Sequence, residues 1–420
     1  MLNRRALPIL FSTLFLVMLG VGIIIPNTAY RAAELQASPL EISLLFTLYS
    51  LMQFLFAPLW GHLSDRVGRK PILLAGLFGG GLGLLLFGVA TSLWMLYLAR
   101  AVSGLMSSAA LPTVMAYVAD VTDEKERGRG MGAMGAAMGL GFIFGPGIGG
   151  ALARFGHATP FFVAGALNLV TGVLALFVLR ESLGREPGAA EGPWLRLPAP
   201  WRWARGPLGV YFVVAFAVPF AMAALETTFP LLIRDRLGMG AREMGVMFLF
   251  MGTAVFLVQA MGLGRLINRF GERAVLGSGL LVNAAGFLLV PMASGRLSVT
   301  AALVVAGVGN QVMRPTNASL LTKKVRGHQG AAIGVMDSFD SLGRILGPLL
   351  AGPLYQTDLR LPYVASAGIL VLTFGWMAFR LAAASRSRTE GEGLSWAEEA
   401  RPGAPAAPPA PESGPGPADA

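Results

Sequence analysis

Long apolar runs alternate with short polar segments along most of the chain. A membrane-spanning helix needs about 20 apolar residues to cross ~30 Å of hydrocarbon. The pattern predicts twelve such spans, at about residues 7–27, 41–60, 71–91, 94–118, 130–153, 159–180, 207–230, 242–263, 274–293, 298–320, 330–354 and 361–382. The turns after the third and ninth spans are very short, so eleven or thirteen spans are also compatible with the pattern.

The order of the runs predicts an all-α membrane protein of twelve helices in two pseudo-symmetric six-helix halves. The predicted parts are an N-terminal half, a cytoplasmic linker rich in Pro, Gly, Trp and Arg, a C-terminal half and a tail. Their boundaries are 1–182, 183–206, 207–383 and 384–420, respectively. The tail is dominated by Ala, Pro, Gly and Glu, a composition typical of disordered segments.

Composition and charge agree with a lipid environment. Only 13% of the residues are charged and 54% are hydrophobic, whereas soluble domains carry about 25% charged residues. The net charge is +10, but the cations punctuate the apolar runs instead of forming a patch, so we expect no nucleic-acid partner. Most Lys and Arg lie in loops on the side of the two termini, which predicts cytoplasmic termini in the plasma membrane of a bacterium.

The chain has no cysteine and only three histidines, which are far apart in sequence. We therefore expect no metal site and no cofactor. A phosphate-binding loop and a nucleophile triad are also absent from the sequence, so we expect no enzyme.

The two predicted halves repeat one another. Residues 61–70 (GHLSDRVGRK) match 264–273 (GRLINRFGER), and residues 141–150 (GFIFGPGIGG) match 343–352 (GRILGPLLAG). Each pair occupies the same place in its half. A duplicated helical bundle is typical of transporters whose two halves rock about a central site.

With these motifs the sequence resembles the major facilitator superfamily, specifically its twelve-span drug:proton antiporters of the Gram-positive multidrug efflux type. The resemblance rests on the loop motif (residues 61–71), on Arg100 with Gly104, on the fifth-span motif (residues 141–150) and on Glu226 within ALETTFPL. It implies export of small amphipathic or cationic compounds by proton antiport with alternating access. The implied partners are a small-molecule substrate, protons and the lipid bilayer, and the implied state is a monomer.

The loop motif resembles a cytoplasmic latch. Its two glycines permit tight turns and close helix approach. The resemblance implies that Asp65 lies near Asp120 and near the positive N-terminal end of the eleventh helix; the alternative is a solvated, positively charged loop. The candidate latch residues are Gly61, Asp65, Arg66, Gly68, Arg69, Lys70 and Asp120.

The fifth-span motif consists of small residues that permit close approach of two helices. Its proline removes a helical hydrogen bond and predicts a kink. The resemblance implies a pliable hinge where the halves meet; the alternative is ordinary tight packing. The residues concerned are Gly141, Gly145, Pro146, Gly149 and Gly150.

Charged residues within spans are costly unless they are paired or face water, so they are candidates for proton coupling or for binding the charge of a substrate. These candidates are Glu226, Asp337, Asp340, Arg344, Arg100 and Arg314. Spacings of three and four residues place Asp337, Asp340 and Arg344 on one stripe of the eleventh span. Structural alternatives are an Asp340–Arg344 pair that stabilises a helix interface, an interfacial Glu226 and an Arg100 that snorkels to the membrane surface.

The sequence departs from the family pattern at two positions. Asn310 and Gln311 stand where related exporters have a tenth-span acid, and the first span has no carboxylate. Proton coupling is therefore expected at Glu226, Asp337 and Asp340. The alternatives left open are an exporter of a sugar or other metabolite and a non-transporting receptor or scaffold on the same fold. Buried amides such as Asn283 are expected to hydrogen-bond between helices.

Overall fold

The computed structural model describes residues 6–122, 124–183, 208–325 and 329–389. Throughout these ranges the secondary structure is helical and contains no strand. Most of the predicted linker and of the predicted tail lies outside them. Contacts divide the chain into Met1–Met377, which contains the bundle, and Ala378–Ala420, of which the structure describes the end of the last helix up to Thr389.

In the described part of the first half there are seven helices. They are α1 (Ala6–Glu34), α2 (Pro39–Val67), α3 (Arg69–Val89), α4 (Leu93–Ser107), α5 (Ala110–Val121), α6 (Glu124–Leu152) and α7 (Thr159–Val178). A short 3-10 turn, Ala153–Phe155, follows α6. The fourth span thus consists of two helical segments, α4 and α5, instead of the single helix that the apolar run predicts.

The second half likewise has seven helices among the residues that the structure describes. They are α8 (Gly209–Leu237), α9 (Ala241–Leu257), α10 (Leu263–Phe270), α11 (Glu272–Leu289), α12 (Arg296–Lys324), α13 (Gln329–Thr357) and α14 (Leu361–Thr389). A π-helical segment, Val258–Gly262, joins α9 to α10 within one span, and the 3-10 turn Val290–Met292 extends α11.

Eleven helical spans in the described part of the chain are long and apolar enough to cross a membrane. The remaining long helix is α13, whose hydropathy is lowered by Asp337, Asp340 and Arg344. It packs against both α2 and α8, inside the bundle. The predicted fold class, an all-α bundle of membrane-spanning helices, is therefore confirmed.

Several helices extend past the predicted apolar runs because helical hydrogen bonds do not require burial in lipid. The clearest example is α2, which starts at a capping box between Ser38 and Glu41 and continues through the loop motif to Val67. Gly61 therefore lies within α2, and of the two glycines that permit a tight turn it is not the one that makes it. The chain turns at Gly68, whose φ of 114° suits only glycine.

The two halves meet at one end of the bundle, which we call the closed end. There α6 packs on α9 and α2 packs on α13. A Cβ added to Gly150 of α6 would lie 2.8 Å from the Cα of Gly245 on α9. The Thr47 hydroxyl of α2 donates to the Ile345 carbonyl of α13 at 3.3 Å.

Towards the other end, which includes the start of α6 and of α13, the halves separate and leave a cleft. Glycines on these two helices face open space, because a Cβ added there would have no neighbouring atom within 4 Å. These glycines are Gly128, Gly132, Gly135 and Gly139 on α6 and Gly334 on α13. The cleft is thus walled on one side by a stripe of bare helix backbone.

Candidate functional site

Asp337 and Arg314 form an ion pair on the cleft side of the second half. The Arg314 guanidinium donates from α12 to the Asp337 carboxylate on α13 at 3.1 Å. Both side chains remain about half exposed, at 58% and 50%. The structure thus brings together two residues that the sequence proposed separately, and it gives Asp337 a cationic partner.

A second ion pair lies further along α13 than Asp337. Arg344 donates to Asp340 at 2.9 Å, so the predicted i,i+4 pair is present. The Asp340 side chain is mostly buried, whereas that of Arg344 is about half exposed. Glu226 lies close enough to Arg344 to interact with it electrostatically, and it is itself buried in α8 with 9% exposure. The interfacial, solvated alternative for Glu226 is therefore wrong.

These acids and bases do not balance. Three carboxylates (Glu226, Asp337 and Asp340) share two guanidinium groups, those of Arg314 and Arg344. Once each aspartate has its arginine, the buried Glu226 is the carboxylate in excess. A carboxylate at membrane depth without a counter-charge of its own is stabilised by a proton or by a cationic ligand.

A small cavity lies beside this cluster, between α8, α12 and α13. Its wall combines apolar side chains, including Val214, Met313 and Met336, with the polar groups of Arg314 and Asp340. Methionine side chains adapt their shape to different apolar surfaces. The arrangement suits a ligand with an apolar body and a polar or charged group.

Arg100 lies on the other side of the bundle, in α4, and does not snorkel to the membrane surface. Its side chain is buried, with 4% of the residue exposed. Its guanidinium donates to the Thr28 hydroxyl of α1 and lies over the rings of Phe87 at 4.8 Å and Tyr49 at 5.4 Å. Aromatic faces stabilise a desolvated cation, so the alternative of an Arg100 at the interface is wrong.

The latch residues cluster around Arg69, at the end of the bundle where the cleft opens. The Arg69 guanidinium contacts Asp65 on α2 and lies 3.1 Å from Asp120 on α5. It also donates to the Ser64 hydroxyl at 2.7 Å. Asp65 and Asp120 are therefore close, as expected, but these contacts join helices of the first half only.

Glu181 completes this cluster and was missed by the sequence reasoning. Its carboxylate accepts from the backbone amides of Arg69 at 2.7 Å and Lys70 at 3.1 Å. It thereby caps the N-terminal end of α3, where free amides attract a negative charge. The only feature of the sequence that pointed to this role was the position of Glu181, an acidic residue directly after the sixth predicted span. The Lys70 ammonium donates to the Leu176 carbonyl of α7, whereas Arg66 lies in the last turn of α2.

The fifth-span motif lies in α6, which is helical through Pro146. A Cβ on Gly145 would lie 2.6 Å from the Cα of Gly22 in α1, and one on Gly141 would lie 2.7 Å from Leu19 of the same helix. Gly149 is likewise against Ile23. Gly150, and less tightly Gly147, instead face α9 of the second half, so the motif serves close packing within the first half as well as contact between halves.

Within the described ranges, no group of histidine and acidic side chains could hold a metal ion. The charged groups near the cleft are instead organised as ion pairs.

Known proteins are similar to this chain over most of its length. The model of the Major Facilitator Superfamily matches residues 10–263 and 255–409. Multidrug resistance protein 2 of Bacillus subtilis (strain 168) is 30% identical over 376 residues, covering 87% of this chain and 93% of the relative. Quinolone resistance protein NorA of Staphylococcus aureus is 25% identical over 363 residues, covering 86% and 92%.

The fold resembles that of a bacterial homologue of the human lysosomal transporter Spinster, solved in an inward-facing and occupied conformation. The TM-score is 0.73 at 16% identity, over 91% of this chain and 97% of that one.

Proposed function

Because the chain belongs to the Major Facilitator Superfamily and is therefore a transporter and not an enzyme, we propose that it exports small amphipathic or cationic compounds in exchange for protons. The names of its relatives from Bacillus and Staphylococcus support multidrug efflux as the type of transport. The observation that carries the proton-coupling part is the excess of one buried carboxylate, Glu226, beside two ion pairs.

In this mechanism Glu226 binds either a proton or the positive charge of the substrate, but not both. Competition for one carboxylate couples the two movements, since substrate leaves when a proton arrives and the proton leaves when substrate arrives. Asp340 and Arg344 tune the exchange, because Arg344 is attracted to both acids. Asp337 and Arg314 provide a second, more exposed pair nearer the mouth of the cleft.

Alternating access provides the two routes to this site. The structure is closed at one end and open at the other, which supports a cycle in which the halves separate at the closed end while the cleft shuts. We further propose that Asp65 reaches the start of α13 only when the cleft has shut. In the present conformation it contacts Arg69 of its own half.

We also propose that the protein is a monomer in the bacterial plasma membrane with both termini in the cytoplasm. The excess of Lys and Arg on the terminal side supports this orientation. The cysteine-free sequence offers a direct test. A single cysteine at Thr91, in the exposed turn before α4, should react with a membrane-impermeant maleimide added to intact cells.

The main experiment is proton-driven uptake of a cationic dye into inverted membrane vesicles. Glu226→Gln should abolish uptake driven by a proton gradient while leaving the protein folded. The control is Asp358→Asn, in the exposed turn before α14, which should transport normally. Undiminished uptake by Glu226→Gln would remove this residue from the mechanism. Dye uptake that is unaffected by a protonophore would contradict proton antiport altogether.

A further inference from the structure

The second half carries an excess of positive charge at the end of the bundle where the cleft opens. Glu272, at the start of α11, is the carboxylate in this region, and it accepts from the Lys323 ammonium at 2.7 Å and from the Ser319 hydroxyl at 2.6 Å. The cations around it are more numerous. They are Arg265 and Arg269 on α10, Arg273 in the first turn of α11, and Lys323 and Lys324 at the end of α12.

The first half balances the charge at the matching positions. Three carboxylates, those of Asp65, Asp120 and Glu181, contact the loop motif there. The second copy of the motif has Asn268 in place of Asp65, and at the same offset of 203 residues Lys323 stands in place of Asp120. Both changes make the second copy more positive. Uncompensated positive charge at a membrane surface attracts anions.

A buried hydroxyl group without a partner lies among these cations. Tyr211, in the first turn of α8, is 2% exposed, and its hydroxyl has no hydrogen-bond partner among the described residues. The Lys324 ammonium lies 5.4 Å from the centre of the Tyr211 ring. Arg273 and Glu272 are close enough to act electrostatically on the hydroxyl, but Glu272 already pairs with Lys323. A buried hydroxyl normally has a hydrogen-bond partner, and beside two cations an anionic oxygen is the partner that suits it.

The neighbouring helix α10 supplies an apolar surface. Its Leu266 and Phe270 are exposed, at 38% and 58%, and the Arg269 guanidinium lies over the Phe270 ring at 5.3 Å. Exposed apolar side chains beside arginines are typical of helices at the level of the lipid headgroups, where the cations reach the phosphates and the apolar groups contact acyl chains. This surface favours a lipid over a free anion.

We propose that the phosphate group of an anionic lipid binds between Arg273, Lys324 and the Tyr211 hydroxyl. The phosphate oxygens accept hydrogen bonds from all three groups, and the bonds to the two cations are charge-assisted. Because these groups belong to α11, α12 and α8, the bound lipid joins three helices at the mouth of the cleft. The proposal depends on the membrane location of the chain and not on proton exchange at Glu226.

The test measures how lipids and phosphate stabilise the whole protein in detergent. A ligand that binds the folded state raises the melting temperature, so titration of each probe gives its affinity. The probes are short-chain phosphatidylglycerol, short-chain phosphatidylcholine and inorganic phosphate. Each cation near a membrane surface strengthens binding of an anionic lipid about fivefold, so phosphatidylglycerol should bind at least about tenfold more tightly than phosphatidylcholine.

Two variants locate the site. Tyr211→Phe removes only the hydroxyl and should weaken phosphatidylglycerol binding about fivefold. It should not lower the melting temperature of the lipid-free protein, because no existing hydrogen bond of this hydroxyl is lost. Arg273→Gln should weaken binding by a similar factor. The matched control is Arg154→Gln, which removes an exposed cation that also lies over an aromatic ring, Phe155, but at the closed end. This variant should bind phosphatidylglycerol like the parent.

Unchanged phosphatidylglycerol affinity in either Tyr211→Phe or Arg273→Gln overturns the proposal, and so does equal affinity for phosphatidylcholine. Stabilisation by inorganic phosphate at the same concentrations would identify a site for free phosphate and overturn the assignment to a lipid. Dye uptake in vesicles is a separate measurement, so failure of proton antiport and failure of this site are distinguishable.

Discussion

Gly150→Ala tests whether direct contact of helix backbones holds the two halves together. A Cβ at this position would lie 2.7 Å from the Ala241 carbonyl oxygen and 2.8 Å from the Gly245 Cα. Both atoms belong to the backbone of α9, so neither can move aside by a change of rotamer. The added methyl group therefore strains the closed end as long as α6 and α9 stay in contact.

Overpacking of this kind typically costs about 1–3 kcal/mol. Since both strained neighbours belong to the second half, separation of the halves relieves the strain. The closed-to-open ratio should consequently fall by a factor of about 5 to about 150. Gly145→Ala gives the opposite pattern, because its nearest neighbours are in α1 of the same half. It should lower the melting temperature without favouring separation.

The assay is the spin-label distance between Thr91→Cys and Ser294→Cys, in exposed turns of the first and second half, combined with thermal unfolding in detergent. Gly375→Ala on α14 is the control. Its added methyl group has no neighbour within 4 Å, and the substitution replaces a flexible glycine within a helix. A folded Gly150→Ala protein whose labels stay as close as in the parent would refute the idea that this backbone contact holds the halves together.

Three further predictions concern the charged groups. Asp340→Asn leaves Arg344 to pair with Glu226, and should abolish proton-driven dye uptake in inverted vesicles while the melting temperature stays within a few degrees; retained uptake would show that Asp340 is not needed. Arg69→Met leaves Asp65 and Asp120 without their shared cation and should destabilise the protein by about 1–3 kcal/mol in thermal unfolding. An unchanged melting temperature would mean that this cluster does not stabilise the fold. Thr28→Val removes the hydroxyl that accepts from Arg100 and should lower the free energy of unfolding by about 1–3 kcal/mol. The control is Thr113→Val, whose buried hydroxyl has no hydrogen-bond partner and whose loss should destabilise the protein less. Equal losses of stability in the two variants would contradict a role for the Thr28 bond.

The fold was predictable because lipid imposes a simple pattern. Apolar length, charge-bearing loops and the repeat of residues 61–70 and 141–150 were sufficient for the helical bundle and its family. The ends and interruptions of helices could not be predicted in this way. Backbone hydrogen bonding, for example, continues α2 past Gly61. The interruption at Val258–Gly262 likewise left no trace in hydropathy.

The candidate site was predictable in part. Spacing along one helix gave the Asp340–Arg344 pair, and Asn283 does bond between helices, donating to the Ala306 carbonyl at 2.6 Å. Pairing between helices was not predictable, since nothing in the local sequence says that Arg314 of α12 meets Asp337 of α13. The burial of Arg100 under Phe87 likewise depends on the arrangement of several helices in space.

The bare face of α6 has a consequence for how the duplicated halves have diverged. Between Gly128 and Gly139 the first half offers the cleft no side chains along this stripe, whereas the matching stretch of α13 carries Asp337 and Asp340. Under the proposed mechanism, substrate recognition is concentrated in the second copy of the repeat, and we propose that the first copy provides a wall of helix backbone that accepts ligands of varied shape. Changes in drug preference are accordingly expected to map to α8, α12 and α13.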